Sequence, residues 1–269
     1  MSACALVDTH CHLDAAEFDA DRAELVRAAQ VGAGGTALVV PAVERANFAA
    51  VARLCRTYPG CAPAYGIHPL YVGRAGPEDL AALRATLARQ PAVAVGEIGL
   101  DFYATPRDEA RQRFYFVEQL GIARECGLPV LLHVRKAIDT ILAALRKANV
   151  AGGIAHAFNG SRQQADEFVG LGFKLGFGGA MTHPNAKRIR ALAATLPLDA
   201  IVLETDAPDI PPAWKPGGRT TPADLMPIAA VLAELRQLPF ATVAAVTTRN
   251  ARAVLGRLDS FIATRGENP

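Results

Sequence analysis

AVAVGEIGL, residues 92–100, is an apolar run broken by one charged residue, Glu97. Nine residues suit a strand, and continuous apolarity asks for cover on both faces, the condition of a parallel strand in an α/β protein. Seven runs of the same character stand around it: ALVDT (5–9), TALVVP (36–41), PAYGIHP (63–69), LPVLLHV (128–134), GGIAHAF (152–158), GFKLGFG (172–178) and AIVLETD (200–206). They begin on average about 28 residues apart, room for a strand, a helix and two loops. The segments between them have helical period. Phe48, Val51 and Cys55 repeat at i, i+3, i+7, as do Leu80, Leu83 and Leu87, and Ile138, Ile141, Leu142 and Leu145 complete a full stripe. Ser161 with Gln164 reads as a capping box, and Thr221–Pro222 as an N-cap followed by an N1 proline. ATVAAVTTRNARAVLG (241–256) reads as a closing helix with a Gly C-cap. Eight strand–helix alternations without a linker rich in Pro, Gly or Ser predict one domain over 1–269: an α/β fold, a single (β/α)8 TIM barrel. The stretches 101–127 and 207–221 follow strand ends, where barrel enzymes place functional loops.

Composition narrows the class. Of 269 residues, 51% are hydrophobic and 20% charged, enough apolar material for a large core and too much for a disordered chain. Net charge is only +2, so no basic footprint of a dedicated nucleic-acid-binding module is present. Cys4, Cys11, Cys55, Cys61 and Cys126 are odd in number, scattered and without a CxxC pair, which suits a reducing cytosol. No apolar run reaches the roughly 20 residues of a membrane span. Asp8 and His10 interrupt the N-terminus before a secretory segment of the usual length can form. The expectation is a cytoplasmic protein with no membrane and no stable protein partner, a monomer.

The polar residues at the strand ends carry the chemistry. His10 and His12 stand two apart, so extended alternation points both to one side; Glu97, His133, His156 and Asp206 end the fourth, fifth, sixth and eighth runs. Imidazole and carboxylate are donors for Zn²⁺, Mn²⁺, Fe²⁺ or Co²⁺, and carboxylate-rich sites also suit Mg²⁺. Six such groups at the C-terminal ends of the strands exceed the needs of one tetrahedral ion and suit two divalent metal cations sharing a carboxylate.

The ordered set DTHCHLD (8–14), GIHP (66–69), GEIGLDF (96–102), PVLLHVRKA (129–137), HAFNG (156–160), ETDAPD (204–209) and TRNARAVLG (248–256) resembles the TatD-like metal-dependent deoxyribonucleases, a family of amidohydrolase-type barrels. The resemblance implies one ion held by His10, His12, Glu97 and Asp206 and another by Glu97, His133 and His156, with Glu97 as the bridge; Mg, Mn and Zn all remain open. The chain departs from the family at Val134, where many members have Ser, at Ala157 and Asn159 in place of Cys and Ser, and in the rim stretch GGRTTP (217–222). These changes leave the six metal positions intact and touch substrate contacts.

The resulting expectation is a metal-dependent hydrolase acting on ester bonds, a deoxyribonuclease. DNA is the substrate, single-stranded or end-frayed before duplex, and a metal-activated water is the nucleophile. Asp206 and Glu97 are the catalytic candidates, Asp206 as proton acceptor. His68, Arg135 and Arg162 are candidates for substrate contact, with Lys136, Lys215 and Arg219 as further loop cations and Phe102, Tyr103 or Trp214 as stacking surfaces. Asp8 and Glu204 are read as supports that orient ligands, Cys11 as packing, and His183 receives no role. The alternative is an amidohydrolase cleaving a C–N or lactone bond, but the carboxylated Lys that many such enzymes carry on strand 4 has no counterpart here. A non-catalytic metal- or nucleic-acid-binding module is the remote alternative.

Overall fold

The computed structural model describes residues 6–32 and 35–262; Cys4 and the first residue of the expected opening strand lie outside them. Eight strands form one sheet in sequential order: β1 (Leu6–Asp8), β2 (Thr36–Pro41), β3 (Cys61–Tyr65), β4 (Ala94–Asp101), β5 (Val130–Arg135), β6 (Gly153–Ala155), β7 (Phe173–Phe177) and β8 (Ile201–Leu203). Every adjacent pair is parallel. The ring closes where Thr9 N donates to Leu203 O at 3.0 Å, Asp206 N to His10 O at 2.9 Å and His12 N to Ala207 O at 2.8 Å.

The strands alternate with α1 (Arg22–Gly32), α2 (Phe48–Thr57), α3 (Pro77–Arg89), α4 (Glu109–Cys126), α5 (Ile138–Ala148), α6 (Arg162–Gly170) and α7 (Lys187–Thr195). After β8 come α8 (Leu225–Arg236), α9 (Phe240–Val254) and α10 (Asp259–Ile262). Strand parity sorts the core into two apolar clusters. Leu38, Val40, Val130, Leu132, Ile201 and Leu203 pack with helix residues such as Phe48, Val51, Ile141 and Leu232. Val7, Ala37, Val39, Ala62, Leu131, Ile154 and Val202 form the other, with Leu255 and Leu258 beyond α9 packed into it. The barrel centre is therefore a filled core, and chemistry is confined to its rim. Among the described residues no single helix is long and apolar enough to cross a membrane.

Four expectations need correction. The stretch 101–127 is mostly helix: α4 is capped by Asp108, which accepts from Arg111 N at 2.9 Å, and ended by Gly127 at φ 60°. Its period is hidden because buried Gln112 and Gln119 face inward, bonded to the backbone of Asp101 and Ile67, while Phe114 and Val117 are exposed. The closing helix ends at Val254 with Leu255 as its C-cap, and Gly256 does not take left-handed backbone, so it is not the glycine cap expected. Glu97 is not a strand end, because β4 continues to Asp101 after a register shift between Val95 and Ile98. His68 and Asp206 lie in loops beyond β3 and β8, both strands ending three residues earlier. The Ser161–Gln164 and Thr221 caps form as read.

Gly99 sits opposite His133 in the β4–β5 ladder at φ +147°, where a Cβ would overlap the backbone oxygen of His133. Gly99→Ala is expected to cost at least about 1–3 kcal/mol in backbone strain and to shift His133. Chemical denaturation reads the loss, and an unchanged midpoint would refute this account of the ladder.

Candidate metal centre

Glu97, only 2% exposed, is the floor of the barrel mouth. Its two oxygens divide the surrounding imidazoles. Oε2 lies 3.2 Å from His10 Nε2 and 3.4 Å from His12 Nε2. Oε1 lies 3.0 Å from His133 Nδ1, 3.1 Å from His156 Nε2 and 3.5 Å from His68 Nε2. Asp206 Oδ1 stands on the β1–β8 side, 3.7 Å from His10 Nε2 and 3.8 Å from His12 Nε2.

Local structure explains the convergence. Asp8, fully buried, accepts from His10 N at 3.2 Å, from Thr205 N at 3.0 Å and from the Thr205 hydroxyl at 2.6 Å. That carboxylate joins the loop after β1 to the loop after β8 and so brings His10 and His12 beside Asp206. Glu204 Oε1 accepts from Ala157 N at 2.5 Å and lies 3.8 Å from His156 Nδ1. Gly176, without a side chain, leaves the space that the Glu204 carboxylate fills. Asp8 and Glu204 thus occupy supporting positions behind the cluster. Ala157 and Asp206 both take left-handed backbone (φ 46° and 55°), uncommon for residues other than Gly and concentrated at functional sites.

Electrostatics divide the imidazoles: against the effect of burial, Glu97 raises His12 to about 9, Asp101 with Glu97 raises His133, and Asp206 with Glu97 holds His156 well above the usual range, so these three favour a cation, a proton or a metal in its place. Burial lowers His10 to about 3 and His68 to about 4, keeping both neutral. Burial alone would raise Glu97, but His68, His10 and His156 outweigh it and hold the carboxyl well below the usual range. Burial pushes Asp206 up to about 6 against the pull of His156 and His12.

Three overlapping donor sets have all their ligand atoms within 4.8 Å of one another: His10, Glu97 and His156; His10, His12 and Asp206; and His68, Glu97 and His133. The Nδ1 atoms of His10 and His156 and Oε2 of Glu204 are buried without a hydrogen-bond partner. Imidazole nitrogen and carboxylate oxygen packed at this density, with donors left unsatisfied, fit a divalent cation.

All six residues expected at the metals converge, and His68 joins them through Glu97 rather than standing apart at the substrate. A cavity of about 1410 Å³ opens above, lined by Arg135 and Lys136. Arg162 is not in it: on α6 it turns to solvent and pairs with Asp166 one helical turn on, at 2.9 Å. Lys215 and Arg219 are likewise taken up, by Asp224 and Asp21 at 2.5 Å each. Of the aromatic candidates only Tyr103 lines the cavity; Phe102 lies under Arg113, and Trp214 donates to Asp224. Cys11 is buried and bridges to Ala207, and His183 braces Pro211 O.

Sequence reading missed Asp101 and Arg188. Asp101 Oδ2 lies 3.0 Å from His133 Nε2, which sets the ring so that Nδ1 faces Glu97, and Oδ1 accepts from Tyr103 N and Ala104 N. Its place at an even spacing from Glu97 in one strand was the available signal. Arg188, on α7, lines the cavity and donates to Asn159; nothing in its sequence neighbourhood marks it.

A parallel eight-stranded barrel with this His and carboxylate cluster at its mouth defines a metal-dependent hydrolase of the barrel class. The chain belongs to the TatD family: the pattern described as TatD related DNase matches residues 7–256. It is 41% identical over 251 residues to the uncharacterized metal-dependent hydrolase YjjV of Escherichia coli K12, covering 92% of this chain and 96% of that one. The crystal structure of YjjV, a TatD homologue from that bacterium, superposes with a TM-score of 0.90 at 38% identity, covering 94% of this chain and 98% of the other. A Cronobacter sakazakii protein described as the 3'-5' ssDNA/RNA exonuclease TatD is 34% identical over 211 residues, 77% of this chain and 80% of that one.

If Glu97 serves both halves of the cluster, Glu97→Gln strips the protein of bound divalent metal while His156→Ala retains part of it. Elemental analysis after dialysis checks this; full metal content in Glu97→Gln would refute the shared carboxylate.

Proposed function

We propose that the protein hydrolyses phosphodiester bonds of nucleic acid, taking single strands or frayed ends, with two divalent cations in the barrel mouth. The observation that carries the reading is the split of Glu97, Oε2 toward His10 and His12 and Oε1 toward His133 and His156, under an open cavity with cations on its wall. The relative described as a 3'-5' ssDNA/RNA exonuclease supports the substrate class.

His10, His12, Glu97 and Asp206 would hold one ion, and Glu97, His133 and His156 the other. When bound, the ions supply Lewis acidity, which acidifies water and polarises a phosphoryl oxygen. The chain's own part is positioning and proton transfer. Asp8 and Thr205 hold the two loops that present His10 and Asp206; Asp101 fixes the His133 ring through Nε2. Asp206 lines the cavity with Oδ1 within 4 Å of His10, His12 and His156; its part in this reading is to take the proton of the attacking water and return it to the leaving oxygen. Neither a nucleophilic side chain nor a covalent intermediate is required. β4 contains no Lys, which disfavours the carboxylated-lysine chemistry of the amidohydrolase alternative.

Asp206→Asn is expected to lower kcat on a single-stranded oligonucleotide by about 10²–10⁴ with an unchanged circular dichroism spectrum. Chelation should abolish cleavage, and Mg²⁺ or Mn²⁺ should restore it. A metal-loaded protein that leaves DNA intact but opens a cyclic amide or lactone would move the assignment to the amidohydrolase class.

A further inference from the structure

The cavity wall is divided by charge. In the segments that follow β6 and β8, Arg162 at the start of α6 and the loop residues Lys215 and Arg219 each pair with a carboxylate, and none lines the cavity. Arg135, Lys136 and Arg188 do line it, and among the described residues none has a carboxylate within ion-pair distance. Two of them are held in place without neutralisation. The Arg135 guanidinium lies 4.1 Å from the centroid of the Tyr103 ring, and the strands beneath are joined where Phe102 N donates to Arg135 O at 2.9 Å. Arg188 donates through Nε and Nη2 to Asn159 Oδ1 at 3.1 and 2.7 Å. An oriented guanidinium with a free edge and a flat ring beside another suit a phosphate chain with unstacked bases.

The opposite wall has the other sign. Asp14 and Glu17 follow β1, which lies across the eight-stranded ring from β5, and Asp209 follows β8. Asp139, at the start of α5, is the one rim carboxylate on the basic side, and Gln164 donates to it at 2.7 Å.

Resting on the phosphodiesterase reading, the geometry points to a one-sided path for a single strand. Its phosphates lie along Arg135, Lys136 and Arg188, a base stacks on Tyr103, and its end stops over Glu97 because Asp14, Glu17 and Asp209 repel any continuation. Specificity for strand ends follows from this charge division, since a strand without an end has to cross the acidic wall.

The test is binding of a fluorescein-labelled single-stranded octanucleotide, followed by anisotropy, beside cleavage assays on the Mn²⁺-loaded protein. Arg135→Ala/Lys136→Ala/Arg188→Ala should raise Kd at least about tenfold and flatten the slope of log Kd against log salt by about 2, from three lost phosphate contacts. Arg162→Ala, outside the cavity, should change neither. Glu17→Gln/Asp209→Asn should enable cleavage of circular single-stranded DNA that the wild type spares. Wild-type binding by the triple variant, or equal cleavage of circular and linear strands by the wild type, overturns the path. Turnover of neither the oligonucleotide nor bis(p-nitrophenyl) phosphate by the wild type overturns the phosphodiesterase reading itself.

Discussion

A carboxylate that is 2% exposed at the bottom of an apolar barrel has to be compensated by positive charge, and the arrangement around Glu97 answers that demand. Uncompensated, a buried ion of this kind costs several kcal/mol. Five imidazoles approach its two oxygens within 3.5 Å, contributed by the segments after β1 and β3, by β5, and by the segment after β6. Such a cluster is tolerable only with cations, whether protons on imidazoles or divalent metals, and the latter meet the charge with fewer groups. Metal binding and the integrity of the barrel mouth are therefore one problem in this protein.

The second constraint is the seam. Asp8 and Thr205 are 197 residues apart in sequence, yet the buried Asp8 carboxylate takes two hydrogen bonds from Thr205 and one from His10 N. Ring closure and assembly of the site thus use the same carboxylate. Asp101 repeats the device between β4 and β5, linking His133 to the loop that carries Tyr103. In both cases an acidic residue behind the cluster sets where a ligand points, which is how sub-ångström geometry is kept at the end of short strands.

Around this centre the rim contributes little to the core. Arg162, Lys215 and Arg219, outside the cavity, are tied to Asp166, Asp224 and Asp21, while Arg135, Lys136 and Arg188 line it without such a pair among the described residues. That difference between paired and unpaired cations sets the charge of the cavity wall, and it depends on side-chain direction.

Much of this was legible in the sequence. Continuous apolar runs located all eight strands, because a strand covered on both faces can carry few other residue types. Glu97, His10, His12, His133, His156 and Asp206 were legible because ionisable groups inside or just beyond apolar runs need a reason to be there. α4 was not, since Gln112 and Gln119 bury amide groups where a helical stripe would show apolar ones. The register shift in β4, the joining of His68 to Glu97 and the placing of Arg188 inside the cavity and Arg162 outside it were decided only in three dimensions. Apolar periodicity and ligand chemistry are local properties that sequence order records. The direction of a loop side chain is set by partners distant in the chain, and those meet only when the barrel closes.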